Sequence, residues 1–262
     1  MAKICTMFSG SSGNCTYISS GDDAVLVDAG VSSKQIITAL NDRHFDLGKL
    51  KGIFITHSHS DHISGLRVLL GKLKLPVFAS KETLGHLLLN GVINDNTPYY
   101  DIEDNPAFDS NMDVKFFRTS HDCEGSGGYV FTLPGGDRVA VCTDLGYVSD
   151  DIRQSLLGCK ALVIESNHDV GMLQTGVYPF ETKQRILSNE GHLSNVACAT
   201  ELPNLVKSGT THIILAHLSK DNNTPDLAEV TAKSVLTENG LKCGLDYSLY
   251  IAPRYGGKTI YI

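Results

Sequence analysis

No run of about 18 consecutive apolar residues occurs in this 262-residue sequence, so no stretch of it reads as a membrane span. The opening Met1-Ala2-Lys3-Ile4-Cys5 has neither a basic-then-apolar leader pattern nor a cleavage site, and reads instead as the start of a strand. The seven cysteines are odd in number and include no C-x-x-C pair, which suits reduced thiols in a cytoplasmic protein rather than a disulfide framework. A basic excess is missing too. The net charge is −7, which weighs against a protein that wraps along duplex nucleic acid. It leaves room for a local basic groove, and bound divalent cations would add positive charge that the formal count omits. Linkers, repeats and low-complexity tracts are also lacking. With 42% apolar residues the chain can bury a substantial core, and residues 1–262 are expected to form one domain.

What is present is concentrated at Thr56 to Gly65, which reads T-H-S-H-S-D-H-I-S-G. Four metal-binding side chains, His57, His59, Asp61 and His62, fall within six residues. An apolar run, Gly52-Ile53-Phe54-Ile55, leads into them, and a helical apolar pattern, Ile63-Leu66-Leu69-Leu70, leads out. A strand end followed by a helix start can turn neighbouring imidazoles and a carboxylate toward one point. The sequence holds ten histidines in all, too few for such a cluster to be an incidental polar loop. Metal-dependent chemistry is therefore expected. No cysteine lies in the motif, so Zn, Mn, Fe and Ni all remain open on ligand type.

The H-x-H-x-D-H pattern at 57–62 resembles that of the metallo-β-lactamase superfamily. The resemblance implies two metals. One would be held by His57, His59 and a later histidine, the other by Asp61, His62 and a still later one, with a later aspartate bridging them. Three residues at the ends of apolar strands answer that description: His121 after Val114–Thr119, Asp144 after Arg138–Cys142, and His217 after His212–Ala216. Asp28, closing the apolar run Ala24–Val27, is placed to orient a ligand histidine, and Glu165 is expected in a similar supporting role. Active-site residues recurring at strand ends, and nearly continuous apolar strands, fit two sheets packed face to face with helices outside. The expected fold is α/β, a four-layer αββα sandwich.

The remaining elements follow from periodicity. Strands are expected at 3–8 and 15–18, joined by Ser9–Asn14, and at 53–56, 76–79, 129–133, 161–165, 247–251 and 258–262. Helices are expected at 33–43, 62–72, 81–90, 149–157, 180–188, 194–207 and 225–239. Residues 92–110, with two prolines and five acids, read as a solvated connection. His44, His86 and His212 read as surface or core residues.

Two metals about 3.5–4 Å apart would share a hydroxide and neutralise charge in the transition state. That machinery cleaves lactams, thioesters and phosphodiesters alike, so other residues must choose. Asp61 and Asp144 make an oxygen-rich site suited to phosphate. The resembled β-lactamases usually carry a cysteine where Asp144 stands. Gly191-His192-Leu193-Ser194-Asn195 opens a helix, whose N–H groups would seat a phosphate. Further donors are Ser11 and Asn14 in the first loop, Asn167 beside His168, and Ser219 and Asn222 beyond His217. These expected substrate contacts join Ser194 and Asn195. Asp61, His192 and His168 are the expected catalytic residues, one of the two histidines protonating the leaving 3′ oxygen.

Taken together, G-H-L-S-N, E-S-N-H-D and A-H-L-S-K-D-N-N-T-P resemble the YycJ/WalJ branch of that superfamily. This implies a cytoplasmic exonuclease that releases nucleotides from the 5′ end of DNA and favours Mn²⁺. Neither the large inserted domain nor the protruding arm of RNA-processing relatives is expected. A homo-oligomer lining up two rims would supply the grip that net charge denies. The alternatives are a small-molecule phosphodiesterase, which better suits an acidic surface, then a glyoxalase-type thioesterase, and last a non-enzymatic binding module.

Overall fold

The computed structural model describes residues 1–104 and 106–262. The first half of the chain runs β1 (Ala2–Phe8), β2 (Cys15–Ser20), β3 (Asp23–Val27), α1 (Ser33–Asp42), β4 (Leu50–Phe54), α2 (Ser60–Ile63), α3 (Leu66–Leu73), β5 (Val77–Ala79), α4 (Lys81–Leu89) and β6 (Tyr99–Asp101). The second runs β7 (Asp113–Arg118), β8 (Gly127–Thr132), β9 (Arg138–Cys142), α5 (Asp150–Leu156), β10 (Ala161–Glu165), α6 (Val170–Thr175), α7 (Phe180–Leu187), α8 (Asn195–Lys207), β11 (His212–Ala216), α9 (Pro225–Glu238) and β12 (Ser248–Ile251). A last strand, β13 (Ile260–Tyr261), crosses back and pairs antiparallel with β1.

Two sheets result, one of seven strands ordered β13-β1-β2-β3-β4-β5-β6 and one of six ordered β12-β11-β10-β9-β8-β7. Every residue of β3 and of β10 is buried, as expected of strands covered on both faces. Phe54, Phe78, Tyr129, Phe131 and Val163 fill the space between the sheets. Helices α1, α3 and α4 cover the outer face of the first sheet through residues such as Ile36, Leu69 and Leu87. On the second, α5, α8 and α9 do so through Ile152, Leu202 and Leu236. This is the four-layer αββα sandwich. β3 and β4 run parallel, as do β9, β10, β11 and β12, so their C-terminal ends converge on one edge.

Two expectations need correction. The helix expected over 62–72 is two helices, α2 and α3, broken at Ser64-Gly65. At Gly65 the backbone N–H donates to Ala29 O at 2.9 Å, and a Cβ there would lie only 1.9 Å from Val31 O. Gly30 makes the matching approach, since its Cβ would fall 1.7 Å from Asp61 O. These two glycines let the loop after β3 lie directly on the ligand loop. The stretch 92–110, expected as a solvated connection, contains a further strand: Tyr99–Asp101 pairs parallel with β5 at the sheet edge. Within that stretch, Asn105 lies outside the described residues.

Candidate active site

The loop between β4 and α2 carries His57 and His59, and α2 itself carries Asp61 and His62. Opposite them, the ends of β7, β9, β10 and β11 deliver His121, Asp144, Glu165 and His217. His57, His59 and His121 each bring one ligand atom to within 4.8 Å of the others, and Asp61, His62 and His217 do the same. His57, His62 and Asp144 form a third such group, which joins the two. All seven residues proposed from the sequence as ligands therefore meet at the convergent sheet edge.

The imidazoles are oriented from behind. His62 Nδ1 lies 2.7 Å from Asp28 Oδ2, His217 Nδ1 2.8 Å from Glu165 Oε1, and His121 Nδ1 3.1 Å from Gly191 O. His57 Nδ1 sits 3.1 Å from Thr56 Oγ1, which also donates to Asp28 Oδ2 at 2.9 Å. With Nδ1 engaged in each case, Nε2 is left to face the cluster, the arrangement found behind metal-bound histidines. His62 Nε2 is 3.3 Å from Asp144 Oδ2, and His217 Nε2 is 3.4 Å from Asp61 Oδ2.

Among the described residues, two buried atoms within the cluster, His57 Nε2 and Asp144 Oδ2, make no well-aligned hydrogen bond, the 3.3 Å approach of His62 Nε2 to Asp144 Oδ2 included. An orphaned buried acceptor is costly, and a cation beside both would satisfy them. The donor set of imidazoles and carboxylates without thiolate fits divalent transition metals. The charges point the same way. Burial pushes the Asp144 carboxyl up, but His217 and His62 overcome this and hold it well below the usual carboxylate range. His62 and His217 are in turn raised well above an ordinary imidazole: burial opposes the charge, but Asp28 and Asp144 around the first and Asp144, Asp61 and Glu165 around the second prevail. The site is built to surround positive charge.

Three of its residues hold a left-handed backbone, Asp28 at φ 63°, Asp144 at φ 59° and His217 at φ 56°. Such conformations are uncommon outside glycine, although asparagine, aspartate and histidine enter them more readily than other side chains, and all three lie at the ends of apolar strands.

His192 stands beside the cluster. Its Nδ1 is 2.8 Å from Glu165 Oε1 and 3.7 Å from Asp144 Oδ1, and its side chain keeps 15% exposure. Burial lowers its pKa, but Glu165 outweighs this and the net shift is upward. Glu165 is fully buried, and its Oε2 accepts from the backbone N–H groups of Leu145 and Leu193. Despite its burial, His192 and His217 bring its carboxyl down to about 2.

The other expected contacts divide. Ser11 is exposed on the rim. Asn14 instead braces the ligands, its Nδ2 lying 3.2 Å from Asp61 O and 3.0 Å from His62 Nε2. Asn167 and Asn195, expected to face substrate, are turned into the protein. Asn167 donates to His217 O at 2.9 Å, and Asn195 Oδ1 accepts from Ser166 Oγ at 2.6 Å and from Asn223 Nδ2 at 2.9 Å. Ser194 caps α8 by accepting from Ala197 N, so its hydroxyl serves the helix. Ser219 Oγ accepts from Asn222 N, and Asn222 is buried with its Oδ1 unpartnered among the described residues. His168 is buried, with neither ring nitrogen hydrogen-bonded among the described residues, and burial takes its pKa down to about 4. His168 joins none of the groups of potential ligands among the described residues, whereas His192 falls in one with Asp144, Glu165 and His217, so of the two histidines considered as acids His192 is the one at the cluster.

Two contributors had no role assigned from sequence. Thr56 links Asp28, His57 and His62 through one hydroxyl. Asp122 Oδ1 lies 3.3 Å from His121 Nε2 and 3.9 Å from His59 Nε2, while its other oxygen pairs with Arg185. Both residues adjoin ligands in the sequence, which was the only available signal.

Comparison with known proteins supplies a family. A model of the metallo-beta-lactamase superfamily matches residues 9–185. The chain is 38% identical over 244 residues to the exodeoxyribonuclease YycJ of Bacillus anthracis, covering 92% of each chain. It is 35% identical over 252 residues to the exodeoxyribonuclease WalJ of Streptococcus pneumoniae, covering 95% of this chain and 93% of that one. Among solved structures it superposes on Zn²⁺-bound PqqB from Methylobacterium extorquens with a TM-score of 0.74 at 17% identity, over 100% of both chains. For YhfI from Bacillus subtilis the TM-score is 0.70 at 18% identity, over 99% of this chain and 98% of that one. These two show the shared fold.

Proposed function

The chain belongs to the metallo-β-lactamase superfamily and is a metal-dependent hydrolase, and from that premise we propose a single-domain, cytoplasmic 5′-to-3′ exodeoxyribonuclease that works with two divalent cations, Mn²⁺ favoured. The observation that carries the reading is the convergence of His57, His59, Asp61, His62, His121, Asp144 and His217 around orphaned buried acceptors. Near-full-length similarity to two proteins named exodeoxyribonucleases supports DNA as the substrate. His57, His59 and His121 would hold one cation and Asp61, His62 and His217 the other, with Asp144 shared. When bound, the pair supplies hydroxide near neutral pH and neutralises charge on the phosphate.

The chain's own groups do the rest. Asp28, Thr56 and Glu165 lock the ligand imidazoles so that no reorganisation is needed as charge develops. Glu165 fixes His192 through Nδ1, leaving Nε2 as the proton donor toward the leaving 3′ oxygen. Ser11 on the rim is left to contact the substrate backbone.

The test is a digest of 5′-phosphorylated, end-labelled duplex DNA with Mn²⁺, run beside Asp61→Ala and His59→Ala. Stepwise release of mononucleotides from the labelled end, lost in both variants, is the expected result. A second reading, a small-molecule phosphodiesterase, draws on the net charge of −7. Intact DNA alongside metal-dependent cleavage of bis-p-nitrophenyl phosphate would favour it.

A further inference from the structure

A groove of about 910 Å³ runs the length of α1. Lys34, Thr38 and Asp42 line it at successive turns of the helix, Arg43 stands at its far end, and residues 255–259 form the opposite wall. Phe8, the last residue of β1, lies in its floor. The wall is fixed in place. Gly256 N donates to Met7 O at 3.0 Å, and Gly257 lies so close to β1 that a Cβ there would fall 1.8 Å from Thr6 O. Arg43 ties helix to wall, donating to Ala39 O at 2.8 Å through Nη1 and to Gly257 O at 3.2 Å through Nη2. The groove therefore needs no rearrangement before a ligand enters it.

One end of it reaches the site. β1 runs antiparallel to β2 and β2 antiparallel to β3, so β1 ends on the sheet edge where β3 delivers Asp28. The loop Ser9–Asn14 leads from Phe8 straight to the ligands: Ser9 Oγ accepts from His217 N at 2.7 Å, and Asn14 Nδ2 donates to Asp61 O. On the helical side, Lys34 follows the loop in which Gly30 lies against Asp61 O. The two loops meet, since a Cβ on Gly13 would fall 2.3 Å from Val31 Cγ1. Both walls thus begin at the loops that brace the metal ligands.

We propose that this groove carries the single strand of DNA that trails the nucleotide being removed. The lining has the chemistry of such a track, cations for phosphates and an aromatic face for a base. Lys34 and Arg43 mark its two ends, with Asp42 beside the second, in a chain whose net charge is −7. Tyr255, 66% exposed, stands edge-on to Phe8, their ring centroids 6.4 Å apart at 86°. From Lys34 to Arg43 is roughly 13.5 Å along the helix, room for roughly four nucleotides at about 3.4 Å each. The inference rests on the nuclease reading above and adds to it where the uncut strand lies, on a local basic path along an acidic protein. Lys34 meets a phosphate near the site, and Tyr255 stacks on a base further along.

The test compares kcat/KM of the Mn²⁺-loaded full-length enzyme on a 5′-phosphorylated dinucleotide, too short to enter the groove, and on an octanucleotide that fills it. In the wild type the longer substrate should be favoured by about tenfold or more. Tyr255→Ala and Lys34→Glu should each cut that ratio by about threefold or more, and Tyr255→Phe should keep it. A wild-type ratio near unity would overturn the track. So would a ratio that both variants leave intact, because equal losses on the two lengths mark a merely structural role. Wild-type enzyme that cleaves bis-p-nitrophenyl phosphate but neither oligonucleotide would instead remove the nuclease reading, and the track with it.

Discussion

Asp28 follows a strand of the first sheet and holds one histidine, His62, at 2.7 Å; Glu165 ends a strand of the second and holds two, His192 and His217, each at 2.8 Å. Both are buried carboxylates, and both also accept backbone N–H groups, Asp28 from Thr56 and Glu165 from Leu145 and Leu193. The difference lies in what their histidines do. On the proposed reading His62 is a ligand only, so Asp28 would serve metal binding. Glu165 would orient one ligand and also the proposed proton donor, and so would couple metal binding to the chemistry. The first sheet would then supply the metal seat, and the second the seat together with the acid.

The largest effect should come from the residue that the two halves share. Asp144→Ala should lower kcat on bis-p-nitrophenyl phosphate by about a thousandfold or more, several kcal/mol of lost charge stabilisation, with fewer than two metals retained by elemental analysis. Chelation should abolish wild-type activity just as fully, and Mn²⁺ should restore it; activity that survives chelation would sink the metal-dependent reading.

Next come the two carboxylates themselves. Asp28→Asn should weaken metal affinity about 10- to 100-fold, with most of kcat recovered at saturating metal. Glu165→Gln should lose a similar amount of affinity but keep a kcat defect at saturating metal and show an altered pH–rate profile, because His192 has also lost its partner. Identical behaviour of the two variants under metal titration would erase the contrast.

Smaller effects should appear in stability. His168 titrates at about 4 when folded, against 6.5 in its ordinary state. The unfolded chain therefore takes up that proton first, so the stabilisation is complete above pH 6.5 and is lost as pH falls toward 4. The loss is on the order of 3 kcal/mol at most. Urea midpoints of wild type and His168→Leu across this range should show a shallower slope in the variant. Asn195→Ala, which strips partners from Ser166 and Asn223, should cost about 1–3 kcal/mol, measured by the same denaturation, with the metal content unchanged.

The two halves of the site also differ in how far they can be read from sequence. His57, His59, Asp61 and His62 announce themselves because one loop carries them all. His121, Asp144 and His217 are single residues at strand ends, separable from other polar residues only by the family pattern. The layer order follows from apolar runs, which respond to local burial. The break between α2 and α3 does not, because the contact that enforces it comes from Val31, far back in the chain. The strand Tyr99–Asp101 is three residues long on a sheet edge, with both tyrosines exposed, so it carries no burial pattern to detect. Asn195 looks like a surface donor until the fold brings up Ser166 and Asn223, partners 29 and 28 residues away.

The left-handed backbones at Asp28, Asp144 and His217 have a practical consequence for anyone engineering this protein. At each of these positions glycine would relax the main chain by about 1 kcal/mol, but it would also strip the buried pairs that Asp28 makes with His62, Asp144 with His62, and His217 with Glu165, at about 3–5 kcal/mol each. A screen for heat resistance alone would therefore spare these three residues, and would keep the layout of the site without ever selecting for it.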